Sequence, residues 1–162
     1  MRFSRRVPKT AITPDQLKGS QLVAMRISNN ALGAAELPKR IKLLGWGSNP
    51  TTGDDGKPGR PLIVDDATAE ILPLAQKSYG FDRVALDFGH NSVPGHPAYQ
   101  KHPRKHAAYG TPEVVKGEGL FLANIEYTPS GIEFAREYAD LSPTPLVDKD
   151  GRVLLLLSLI HI

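Results

Sequence analysis

His90 closes the run Val84-Ala85-Leu86-Asp87-Phe88-Gly89-His90. A histidine at the end of an apolar strand is held by a rigid element yet open to solvent, which is what a general base titrating near neutral pH requires. Strand alternation puts His90 on the face of Phe88 and Leu86 and turns Asp87 away, so Asp87 orients His90 only if Gly89 bulges the strand. Ser142 lies in Tyr138-Ala139-Asp140-Leu141-Ser142-Pro143, where a helix gives way to a strand. Pro143 biases Ser142 toward extended backbone, and a hydroxyl presented from such an edge suits a nucleophile. Each residue also has an ordinary reading, as a loop histidine and as a Ser-Pro turn, and spacing alone does not pair them.

A rival chemistry lies in His90, His96, His102 and His106, which follow at intervals of 6, 6 and 4. Only His102 and His106 have the i, i+4 spacing that puts two imidazoles on one helix face. Pro103 stands between them, and Lys101, Arg104 and Lys105 repel a cation. A basic surface loop is therefore the preferred reading over a metal centre, and no metal or cofactor is expected. The absence of Cys removes disulfides, a thiol nucleophile and cysteine-based zinc sites. No phosphate-binding glycine loop and no His-Glu-x-x-His pattern occurs. Asp54-Asp55 reads as loop and Asp65-Asp66 as a helix cap.

The elements that must hold these residues follow from the pattern. Ile41–Trp46, Leu62–Val64, Arg83–Phe88 and Gly119–Tyr127 read as strands. Residues 47–61 crowd Gly47, Pro50, Gly53, Gly56, Pro58, Gly59 and Pro61 into a loop. A helix is expected from about Ala67 to Tyr79 with Ile71, Leu74, Ala75 and Tyr79 inward, kinked or broken at Pro73 and stopped at Gly80. Residues 89–118 read as one long polar loop holding four of the five histidines. Thr128-Pro129 reads as a cap and first turn of a short helix reaching about Tyr138. Leu141–Val147 and Arg152–Leu157 read as strands joined by the turn Asp148-Lys149-Asp150-Gly151. Strands with a few helices make the expected class α+β.

At 162 residues the chain is one domain's worth, and 40% hydrophobic with 23% charged residues is a soluble globular composition. No apolar run reaches the roughly 18 residues of a bilayer span, and no apolar segment follows Met1-Arg2-Phe3-Ser4-Arg5-Arg6 as a secretory signal would require. The net charge of +3 is uneven: residues 1–42 hold nine Lys/Arg against two acids, the remainder eleven against fifteen. The basic residues thus sit in a leader, about residues 1–40, read as solvated and weakly structured. It lacks the interleaved aromatics of a nucleic-acid binder.

Several short motifs occur in one order: Trp46, Leu62-Ile63-Val64, Asp65-Asp66-Ala67, Asp87-Phe88-Gly89-His90, Ala107-Ala108-Tyr109-Gly110, Gly119-Leu120-Phe121, Glu126-Tyr127-Thr128, and Tyr138 followed by Ser142-Pro143. From about Leu44 to Val153 this series resembles the phage Mu I protein family, the Mu-like prophage protease/scaffold proteins. That family is similar in motif order to other tailed-phage prohead proteases and to herpesvirus assemblin. Gly89 departs from the resemblance, standing where the family has an acid, as does the long basic insert between His90 and Gly119. The resemblance implies a mainly antiparallel barrel-like sheet with a few flanking helices, and a serine endopeptidase with Ser142 as nucleophile and His90 as base. It places the third, orienting group downstream of the serine, at Asp148 or Asp150, which serve equally well as turn residues. It further implies action in the host cytoplasm, inside the assembling prohead. The partners would be the phage scaffold, the major capsid protein and the chain itself as substrate, in a homo-oligomer. A non-catalytic scaffolding or capsid-associated protein on the same fold is the alternative.

Leu157-Ser158-Leu159-Ile160-His161-Ile162 matches the translation of the transposon-end sequence used in tagmentation libraries. The expected protease domain is therefore residues 41–156, incomplete at its C-terminus, with 157–162 set aside as an adapter-derived tail.

Overall fold

The computed structural model describes residues 21–22, 27–28, 37–52, 55–88, 106–134 and 140–161. In chain order these form β1 (Gln21–Leu22), β2 (Ile27–Ser28), β3 (Ile41–Gly45), β4 (Gly47–Asn49), β5 (Leu62–Val64), α1 (Asp66–Ser78), β6 (Val84–Phe88), β7 (His106–Val115), β8 (Gly119–Tyr127), α2 (Pro129–Phe134), β9 (Asp140–Val147) and β10 (Val153–His161). The architecture is α+β, a mixed sheet curled into a half-barrel. Its order among the described residues is β1-β9-β10-β6-β7-β8-β3, with β2 also on β9 and β4–β5 forming a separate ribbon. Neighbours run antiparallel except β10 and β6, which are parallel.

The long loop expected over residues 89–118 is corrected at its C-terminal third, because His106–Val115 is a strand. Its sequence, with Gly110 and Pro112 inside, carries no clean alternation. It is extended because β6 pairs with one edge and β8 with the other. Gly110 is required there, since a Cβ would lie 2.5 Å from the Leu122 side chain. Gly119 opens β8 at φ +136°, where a Cβ would also lie 2.0 Å from the Leu44 carbonyl oxygen. This glycine lets β3 close onto β8.

Asp65 caps α1 and accepts the Thr68 amide at 3.1 Å. Pro73 does not break the helix, which runs from Asp66 to Ser78. Pro73 lies on the exposed face, where the carbonyl deprived of its helical partner can be hydrated. The inward face is also turned by about one residue from the expected one. Thr68, Leu72, Ala75 and Gln76 are buried, Leu74 is partly exposed, and Ile71 and Tyr79, as expected, pack partly buried against the cluster of Ala75, Leu154 and Leu155. Gln76 explains the shift. Its amide donates to the carbonyls of Phe81 (2.7 Å) and Leu156 (2.9 Å) and accepts the Leu156 N–H (2.6 Å). A polar side chain thus takes an inward position by acting as a strand partner for β10.

The cap is tied to the β9–β10 turn. Arg152 donates to both Asp65 oxygens (3.0 and 2.9 Å) and to Asp148 (2.9 Å). Partial desolvation pushes the Asp65 carboxyl up, but the Thr68 amide and the Arg152 guanidinium outweigh it and hold the group below its usual range. A depressed carboxyl contributes stability above the unfolded value of about 3.9 and loses it as pH falls through the lower folded value. The two side chains are 28% and 33% exposed, and this solvent screening keeps the pair near ~1 kcal/mol. Asp65→Asn, which preserves a cap, is expected to cost about that much at pH 7. Denaturant titrations across pH should show the gap to wild type closing below about pH 3. A gap that persists at pH 2 contradicts this.

Thr128 caps α2 as expected, its hydroxyl accepting the Gly131 amide at 3.0 Å. Gly131 packs so closely on β7 that a Cβ would lie 1.8 Å from the Ala107 carbonyl oxygen. The Tyr127 hydroxyl donates to the Pro38 carbonyl at 2.7 Å, and burial pushes the phenol up to about 12. The strand expected to end at Leu157 continues through His161, and its pairing with β6 is made by Leu159, Ile160 and His161. The core joins Leu86, Leu120, Leu122, Leu141, Leu156 and Leu159 from the sheet to Leu72 of α1. No helix among the described residues is long and apolar enough to cross a membrane.

Candidate functional site

Registered partners in adjacent strands project from the same face of a sheet. Ser142 in β9 is registered with Ile160 in β10, Ile160 with Asp87 in β6, and Asp87 with His106 in β7. One row across four strands therefore holds Ser142, Asp87 and His106. The adjacent row holds Pro143, Leu159, Leu86, Ala108 and Tyr127 on the opposite face, most of it the apolar core. At about 4.8 Å per strand, Ser142 and Asp87 are ~10 Å apart along the row and Ser142 and His106 ~14 Å. The row gathers these residues without joining Ser142 to His106.

Asp87 is fully buried and His106 is 24% exposed, and their side chains are joined through His106 Nδ1 and Asp87 Oδ1. With the Asp87 carboxyl ionised it can only accept, so the bond is then donated by His106 Nδ1–H. The β7 backbone is shaped around this pair. Leu86 opposes Ala108 while Asp87 opposes His106, which leaves Ala107 as the extra residue of a bulge. The His106 carbonyl is held by the Thr128 hydroxyl at 2.7 Å, and its ring lies 5.4 Å from that of Tyr109.

Asp87 thus orients a histidine, His106. The signal was weak in sequence, because nineteen residues separate the partners and only the strand register unites them. His90, with Gly89, His96 and His102, lies outside the described residues. Among the described residues no group of three or more His, Cys, Asp or Glu is placed to hold a metal ion.

Ser142 is 2% exposed in β9, the second strand from one edge of the sheet. Asp148 and Asp150, the candidate orienting groups, are not brought to it. Asp148 is six residues along β9, ~20 Å at strand rise. Its carboxylate accepts the amides of Asp150 and Arg152, each at 2.9 Å, and the Arg152 guanidinium. Asp150 is exposed in the same turn. Both close the hairpin, whereas Asp87 lies in the row of Ser142.

Two further hydroxyls occupy that face. Thr144, two residues after Ser142, is registered with Ser158. They are 3% and 6% exposed, and neither hydroxyl has a hydrogen-bond partner among the described residues. Leaving such a group buried and unpaired costs about 1–3 kcal/mol. The i, i+2 relation of Ser142 and Thr144 was legible in the sequence; the burial was not.

No family model, curated protein or solved structure matches the chain. The functional reading therefore rests on the residues and their arrangement.

Proposed function

We propose that the chain is a serine endopeptidase of phage capsid maturation, with Ser142 as nucleophile and His90 as general base. The ordered motifs shared with the Mu-like protease/scaffold proteins support this reading, as does the curled, mainly antiparallel sheet. One observation carries it. Leu141, His161 and Phe88 form the row beside Ser142, so β6 ends level with the nucleophile two strands away, ~10 Å across the sheet, and His90 follows Phe88 by two residues, ~7 Å of chain. A straight continuation of β6 would put His90 on the Leu86 face, opposite Ser142. The pairing therefore requires the chain to turn at Gly89, a position whose missing Cβ permits it.

In this reading Ser142 Oγ attacks the peptide carbonyl as His90 takes its proton, and His90 returns that proton to the leaving amine. Substrates are the scaffold, the capsid protein and the chain itself, within the prohead in the host cytoplasm. The near-complete burial of Ser142 favours the alternative, a scaffolding protein on the same fold without catalysis. Intact masses followed over time in wild type and Ser142→Ala separate the two. The protease reading predicts fragments in wild type alone. Identical fragments in both, or none in either after reconstitution into proheads, contradict it.

A further inference from the structure

β9, the strand of Ser142, has β10 on one side and the N-terminal segment of the chain on the other. β1 and β2 both run antiparallel to it, β1 against Leu146 and Val147, β2 against Leu141 and Asp140. Leu22 and Ile27 are five residues apart, as are their partners Leu146 and Leu141, so the two short strands keep one register. Between those contacts β9 runs Ser142-Pro143-Thr144-Pro145. Leu156 turns both its N–H and its C=O to Gln76, so Pro145, its partner in β9, faces away from β10 and toward the N-terminal segment. Pro143, two residues earlier in the strand, faces the same way. Neither proline has an N–H to donate. The N-terminal segment is thus paired with β9 on both sides of Ser142, and the edge between offers its carbonyls no donor.

We propose that the N-terminal segment is a substrate of its own chain, cut in cis at a bond between Leu22 and Ile27. The proposal rests on the reading of Ser142 as nucleophile. Holding an extended peptide on both sides of the bond to be cut places it at high effective concentration beside the reacting group. One strand spacing, ~4.8 Å, separates β9 from the chain paired to it. The Ser142 side chain stands out of the sheet plane, the side from which a ladder carbonyl is open to addition. A carbonyl that receives no ladder hydrogen bond is free to shift toward the hydroxyl. This peptide reaches its place as the chain folds and needs no entry path, so the burial of Ser142 does not bar it. In the step, Ser142 Oγ bonds the carbonyl carbon and its proton passes through His90 to the leaving amine. The amine becomes the new N-terminus of the chain. Water then hydrolyses the ester, restoring Ser142 and releasing the leader with a terminal carboxylate.

The test follows the full chain by intact mass, alone and after reconstitution into proheads, as wild type, as Ser142→Ala, and as wild type treated with a fluorophosphonate. The reagent bonds phosphorus to Ser142 Oγ with loss of fluoride and the hydroxyl proton, so it blocks the nucleophile without a substitution that could impair folding. Wild type is expected to lose a leader ending between residues 22 and 26. That loss should be abolished in Ser142→Ala and in the treated protein. Its half-time should stay the same over a hundredfold range of protein concentration, and mass-tagged Ser142→Ala mixed with wild type should stay uncut. A cut that depends on Ser142 but falls elsewhere overturns the inference and leaves the protease reading standing. So does a cut that accelerates with concentration or appears in the tagged Ser142→Ala chain, since it would act in trans. The same leader loss in all three samples overturns it by assigning the cut to another protease. No cut in a wild type whose Ser142 takes the label overturns this inference alone; no cut and no label remove the protease reading with it.

Discussion

Gln76→Leu is expected to be among the most destabilising substitutions in α1, although it replaces a buried polar residue by an apolar one of similar size. The Gln76 amide holds both the N–H and the C=O of Leu156 and also the Phe81 carbonyl. The two Leu156 groups point away from β9, toward the side that β6 reaches only at Leu159. Gln76 therefore substitutes for the missing strand over that stretch. Leucine would leave both groups buried without partners, at about 1–3 kcal/mol each. A net loss of about 3 kcal/mol should lower the melting temperature by roughly 6–12 °C for a chain of this size. The measurement is calorimetric unfolding of wild type and variant. A shift under ~2 °C would mean that water or a neighbouring group takes over the amide's role.

The second large effect is expected at the Asp87–His106 pair. His106→Leu removes the imidazole from a carboxylate that is wholly buried. Breaking a buried pair from one side costs roughly 3–5 kcal/mol, and replacing both members together is often close to neutral. The partial exposure of His106 puts the single substitution toward the lower end of that range. Asp87→Leu combined with His106→Leu should recover much of the loss. Denaturant unfolding of the two single variants and the double variant measures the coupling. Strictly additive costs would show that the two side chains do not stabilise one another.

These two sites also show what the sequence could and could not convey. Local signals were readable. Asp65 and Thr128 announced their helices by cap chemistry, Gly80 its end, and β8 its alternation. The readings that failed depend on partners remote in sequence. His106–Val115 is a strand because two neighbours claim its edges, and the α1 face is rotated because Gln76 answers a backbone eighty residues away. Pro73 stays within the helix on its exposed face. For the site, Ser142 was singled out by its Ser-Pro context, whereas the Asp87–His106 pair required the register of β6 on β7. Asp148 and Asp150 were candidates by position after the serine. Their actual partners, Arg152 and the turn amides, are the local contacts of a tight hairpin.

The central claim is that Ser142 is a nucleophile, and the most direct measurement is covalent. The full chain, alone and after prohead reconstitution, is exposed to a fluorophosphonate and the adduct is located by peptide fragmentation. The account predicts a single adduct on Ser142, absent in Ser142→Ala and suppressed in His90→Ala. An adduct on another residue, or none in either state, would contradict it.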